Sequence, residues 1–152
     1  MKNIAVFLDR DGTIIEEVNY LDDLNKIVVY PSSYVAIKML NDVGIKVIVV
    51  TNQSGVARGY FDEVFVKKTH EEIARLMNEN GAHIDRFYFC PHHSTEGIGQ
   101  YRVECDCRKP KTGMLVRAVE EFDIDLKRSF VIGDSITDVE MAHAVGATGI
   151  LV

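Results

Sequence analysis

Short apolar runs alternate with amphipathic runs along nearly the whole chain, and this alternation restricts the fold more than any other feature. Residues 4–8, 46–50, 84–89, 129–132 and 149–152 read as strands, several of them rich in β-branched side chains. Between the first two, Ala36, Met39, Leu40 and Val43 recur at helical spacing, with Pro31-Ser32-Ser33 as a start and Gly44 as a stop. Residues 62–80 read as a helix with Asp62 as N-cap and Gly81 as terminator. Leu115, Ala118, Val119 and Phe122 form another helix face, and residues 136–145 a fourth helix. The order β-α-β-α-β-loop-α-β-α-β predicts an α/β fold: a Rossmann-like, doubly wound, mostly parallel sheet with helices on both faces. In such sheets ligands bind beyond the carboxyl ends of the strands. Residues 12–30 and 90–111 are the two irregular stretches, and 1–152 reads as a single domain.

Composition narrows the function. Hydrophobic residues make up 47% of the chain and charged residues 26%, an ordinary profile for a soluble globular protein. No apolar run approaches membrane-spanning length, and the N-terminus leads straight into a strand without a cleavage signal, so a cytoplasmic protein with no membrane partner is expected. A net charge of −6 without a long basic run argues against nucleic acid. It leaves room for a small anionic substrate, because local Arg and Lys outweigh a distant negative field. A monomer is expected.

The polar motifs fall at strand ends. Asp9 and Asp11 follow the first strand, Thr51-Asn52-Gln53-Ser54-Gly55 the second, and Gly133-Asp134-Ser135-Ile136-Thr137-Asp138 the fourth. Arg108-Lys109-Pro110 precedes the helix that leads into that fourth strand. Taken singly, each has a plain structural explanation: a capping pair of acids, a polar turn, a solvated lysine, a helix cap that Ser135 or Asp138 could equally supply. Taken together at one sheet edge, they combine carboxylates for a hard divalent cation with a lysine, a hydroxyl and amides for an anion. That set suits phosphoryl transfer.

The three cysteines cluster in the second irregular stretch, as Cys90-Pro91-His92-His93 and, with twelve residues between His92 and Cys105, as Cys105-Asp106-Cys107. A Cys₃His set of Cys90, His92, Cys105 and Cys107 fits a closed, tetrahedral, structural zinc site that pins a loop of about residues 90–108; His93 is the adjacent competitor. A Cys105–Cys107 disulfide is disfavoured by that spacing.

The run Asp9-Arg10-Asp11-Gly12-Thr13, with Thr51, Lys109 and Gly133-Asp134 followed by Asp138, resembles in order the four motifs of the haloacid dehalogenase superfamily of phosphotransferases. The resemblance implies that Asp9 is the nucleophile and Asp11 the general acid and base. It implies that Asp9, the Asp11 backbone carbonyl and Asp134 hold Mg²⁺, and that Thr51 and Lys109 bind the transferring phosphoryl group. Asp138 would support either the metal or Lys109. Arg10 receives no role and points elsewhere if strand alternation persists. Residues 12–30 are too short for a cap domain, so an open site is expected.

Residues 50–61, with Cys90-Pro91-His92-His93 and Cys105-Asp106-Cys107-Arg108-Lys109-Pro110, closely resemble the D-glycero-D-manno-heptose 1,7-bisphosphate 7-phosphatases, which act in bacterial surface heptose synthesis. The histidinol-phosphate phosphatases share the zinc loop, but their threonine motif continues differently and their loop is shorter. The resemblance implies a small phosphorylated sugar as substrate. It makes Asn52, Gln53, Ser54, Arg58 and Arg108 its binding candidates, although Arg58 could instead pair with a nearby acid. Family members often carry a proline where this chain has Lys111-Thr112-Gly113, and they continue past the final strand.

Overall fold

In the computed structural model, which describes residues 1–152, the first apolar run becomes the central strand. β1 (Ala5–Leu8) is buried at every position, so both of its faces must be covered. The other strands are β2 (Lys46–Asn52), β3 (Arg86–Cys90), β4 (Phe130–Gly133) and β5 (Thr148–Leu151); the helices are α1 (Pro31–Asp42), α2 (Glu63–Glu79), α3 (Gly113–Phe122) and α4 (Ile136–Ala144). The strands form one five-stranded sheet in the order β3-β2-β1-β4-β5, parallel at every pairing.

Strand alternation divides the core in two. Ala5 and Phe7 of β1, with Ile48 and Val50 of β2, pack on Met114, Leu115 and Ala118 of α3 and on Met141 and Ala142 of α4. Val6 and Leu8, with Val47 and Val49, pack on Ile37 of α1 and on Ile73 and Met77 of α2. Each face therefore carries two helices, as the near-continuous hydrophobic strands require. Asp62 caps α2, its side chain accepting from the Phe65 amide at 2.8 Å.

The chain first builds outward from β1 through β2 to β3, then crosses back to place β4 on the other side of β1. The order reverses between β1 and β4, which opens a crevice at their carboxyl ends. Most element bounds shift by a residue from the sequence expectation, and β2 and β3 shift by two. β2 runs on through Thr51 and Asn52, because those residues pair with Phe89 and Cys90 of β3. β3 correspondingly starts at Arg86 and ends at Cys90. Residues 12–30 form no cap domain. They hold one short 3₁₀ turn (Leu24–Lys26) and are pinned to the α1/α2 side by buried Ile14, Ile15, Leu21 and Val29. No helix is long and apolar enough to cross a membrane.

Candidate active site

The Asp9 amide donates to the Ile132 carbonyl at 3.0 Å, so the β1–β4 ladder runs into the first acid of the site. The turn that follows requires glycine twice over. Gly12 has φ +80°, and a Cβ there would lie 2.1 Å from Asp134 Oδ2. Beyond β4, Ser135 and Asp138 form a capping box at the start of α4, which leaves exposed Asp134 free of any capping duty.

One carboxylate oxygen from each of Asp9, Asp134 and Asp138 falls within a 4.8 Å group. The Asp134 carboxyl is raised above its ordinary range, first by loss of solvent and then by the charge of Asp9. Burial likewise raises Asp138, with Lys109 opposing. Glu17 is raised by burial and by the charges of Asp11, Asp134 and Asp9. These acids carry more negative charge than the local cations offset. An oxygen-only set with that excess fits a hard divalent cation.

Lys109 is 5% exposed, and its three ammonium hydrogens have three acceptors: Asp9 Oδ1 at 3.0 Å, Asp138 Oδ1 at 2.7 Å and the Val50 carbonyl at 3.0 Å. Its amide donates to Asn52 Oδ1 at 3.0 Å, which ties the end of β2 to the lysine's own backbone. A buried ammonium is tolerated only when paired and saturated with acceptors, as here.

Asp11 stands outside the acid group. Its Oδ1 accepts from Arg10 Nε at 3.2 Å and NH2 at 3.0 Å, and its Oδ2 accepts from Gln53 Nε2 at 2.9 Å. That same Gln53 nitrogen donates to Thr51 Oγ1 at 3.0 Å.

A cleft of about 450 Å³ opens over these groups. Asp9, Asp11, Thr51, Asn52, Gln53, Ser54, Arg108, Lys109 and Asp134 all line it, together with Glu17–Leu21 from the first irregular stretch and Ser135 and Thr137 from α4. Arg58 does not line it. Its guanidinium carbon sits 5.7 Å from the ring centre of Tyr20, a lining residue, and it pairs with no acid. Arg10 was given no role by sequence, yet it is 2% exposed and grips Asp11. A signal for it existed: Arg10 is in strand phase with Val6 and Leu8, so it points under the sheet edge toward α2. Glu17 and Tyr20 carried no such signal.

At the end of β3, Cys90 Sγ lies 3.6 Å from Cys105 Sγ, and Cys107 Sγ lies 3.6 Å from Cys105 Sγ. Cys90 and Cys107 are 2.7 Å apart, and His92 Nδ1 is 3.8 Å from Cys90 and 3.5 Å from Cys107. Tetrahedral zinc with bonds of roughly 2.3 Å sets sulfurs about 3.7 Å apart, which two of the three sulfur distances approach. The close contact between the two thiols, with burial, pushes Cys90 up, and the same contact holds Cys107 below its ordinary value, so the pair favours one thiolate between them. His93 stays outside, its Nδ1 accepting from the amides of Thr95 and Glu96. Arg108, next to Cys107, donates to the His92 carbonyl at 3.4 Å.

Comparison with known proteins agrees with this geometry. A family model described as HAD-hyrolase-like matches residues 106–152. A D-glycero-beta-D-manno-heptose-1,7-bisphosphate 7-phosphatase from Rhodopseudomonas palustris is 44% identical, over 95% of this chain and 81% of the relative. The protein of the same name from Vibrio cholerae is 41% identical over 100% of this chain and 82% of its own. The crystal structure of D,D-heptose 1.7-bisphosphate phosphatase from B. bronchiseptica, complexed with magnesium and phosphate, superposes with a TM-score of 0.86 at 31% identity, covering 97% of this chain and 79% of that one.

Proposed function

We infer, for a chain that belongs to the D-glycero-D-manno-heptose-1,7-bisphosphate 7-phosphatase family of haloacid-dehalogenase-like phosphatases, that its reaction is hydrolysis of the 7-phosphate of that bisphosphate. One observation carries the mechanism: two neighbouring acids occupy different environments, Asp9 against Lys109 at the acid group and Asp11 outside it.

Asp9 attacks phosphorus, and the bond from phosphorus to the sugar oxygen breaks as Asp11 gives that oxygen a proton. Water then attacks the phosphoaspartyl group, its proton passes to Asp11, and phosphate leaves with Asp9 restored. Asp9, the Asp11 backbone carbonyl and Asp134 hold Mg²⁺, which when bound supplies positive charge to the phosphoryl oxygens and lets an anionic nucleophile approach an anion. Lys109 exchanges its Asp9 contact for a phosphoryl oxygen, and Thr51 binds another. Asn52, Gln53 and Ser54 bind the phosphate and sugar hydroxyls. Arg108, on the cleft wall, serves the second phosphate, and Arg58 supports it through Tyr20, the lining residue it packs against. Cys90, His92, Cys105 and Cys107 would hold a structural zinc, their four donor atoms filling a tetrahedral set and leaving it no catalytic role.

On this reading the chain is one hydrolase domain acting as a cytoplasmic monomer on a small soluble substrate, with no nucleic acid or membrane partner. The test is phosphate release with Mg²⁺ from the two anomers of heptose 1,7-bisphosphate, histidinol phosphate and simple sugar phosphates. The heptose bisphosphate is expected to lead; a clear preference for histidinol phosphate overturns the substrate assignment.

A further inference from the structure

We propose that Arg10 and His70 are positioning residues that hold the Asp11 carboxylate so that one chosen oxygen, Oδ2, exchanges the proton with the leaving group. The proposal rests on the phosphatase reading above, in which Asp11 carries that proton.

A guanidinium that is 2% exposed needs a partner for nearly every N–H, because an unpaired buried cation costs several kcal/mol. Arg10 spends two nitrogens on a single oxygen, Asp11 Oδ1, at 3.2 and 3.0 Å. Its NH1 lies 3.2 Å from His70 Nε2. The other carboxylate oxygen, Oδ2, faces Gln53 Nε2, the nitrogen that also reaches Thr51 Oγ1 beside the phosphoryl position. A proton on Oδ1 would meet two N–H groups of a cation, whereas Oδ2 meets a single N–H from the neutral Gln53 amide and keeps a lone pair for a proton. The geometry therefore assigns the proton to Oδ2.

His70 is the backstop. It is the one ionisable side chain on the buried face of α2, among Val66, Thr69, Ile73 and Met77. Its ring stacks on Phe87 of β3 with centres 4.6 Å apart and planes 17° apart, and meets Phe89 edge-on at 6.0 Å. So placed it cannot turn away, and Nε2 can engage Arg10 only through its lone pair. Burial and the Arg10 charge hold the ring neutral, with its pKa lowered to about 3. The chain of contacts runs from β3 through α2 to the proton carrier, so Asp11 keeps its orientation although it follows the strand as a loop residue.

The test uses the dependence on leaving group. Departure of the sugar alkoxide needs a proton, while departure of nitrophenolate from 4-nitrophenyl phosphate hardly does. kcat/KM covers the steps up to that departure. For Asp11→Asn, kcat/KM should fall by about 10²–10⁴ on the heptose bisphosphate and far less on the aryl phosphate. Arg10→Gln and His70→Leu should show the same selectivity, losing at least ~10-fold more on the sugar substrate. If both lower the two substrates equally while Asp11→Asn remains selective, the positioning role is wrong and the phosphatase reading stands. An unselective Asp11→Asn overturns the acid–base assignment itself, and the positioning proposal with it. Should Arg10→Gln fail to fold, His70→Leu decides the matter, since it keeps an apolar group against Phe87.

Discussion

Single residues here carry charge that the fold can barely house. Asp9 shares Lys109 with fully buried Asp138 and repels Asp134. Asp9→Asn removes the proposed nucleophile and part of that repulsion while keeping the shape. The expected result is loss of phosphate release to background, with thermal stability equal to or above that of the parent. His70 gives a prediction about pH. Its folded pKa is about 3 and the free value is near 6.5. Between those values the unfolded chain binds a proton that the folded chain refuses, so stability present above pH 6.5 is lost as pH falls toward 3. Denaturant unfolding should show the parent losing about 1–2 kcal/mol more than His70→Leu between pH 6.5 and pH 5.

At the scale of elements, sequence and structure agree where a pattern repeats and part where a single contact decides. The five strands and four helices were legible because apolar runs and caps recur. The last two residues of β2 were not, since Thr51-Asn52 reads as turn chemistry until Phe89 and Cys90 pair with it. Arg10 was passed over because its partner lies sixty residues away on α2. Arg58 was expected to bind substrate from a resemblance, and only the fold reveals that Tyr20, against which its guanidinium lies, lines the cleft while Arg58 does not. The segment from β3 to α3 contains one short 3₁₀ turn, Gly99–Tyr101, and the proposed zinc at its Cys₃His group would pin it near both ends. Stripping zinc with a strong chelator, or Cys105→Ser, should open residues 92–106 to limited proteolysis, read by mass spectrometry. Phosphate release should fall with it, because Cys107 lies two residues before Lys109, and added Mg²⁺ alone should not restore it.

For the molecule as a whole, the acid group is a store of repulsion in a chain of net charge −6. A cation that binds only the folded state adds about 2.7 kcal/mol when present at a hundred times its dissociation constant. Mg²⁺ should therefore raise the melting temperature, and Asp134→Asn should shrink the rise; an equal rise in both would separate the ion from these acids. The central place of β1 also bears on synthesis. The strand that ends at the proposed nucleophile, Asp9, leaves the ribosome before the other four, yet one of its edges stays empty until β4 arrives. The Ala5 amide waits for the Ser129 hydroxyl, and the Asp9 amide for the Ile132 carbonyl. A nascent chain can pair β1 with β2 early, but it cannot set Asp9 until about residue 133 has emerged. Hydrolytic chemistry is thereby withheld from the unfinished chain.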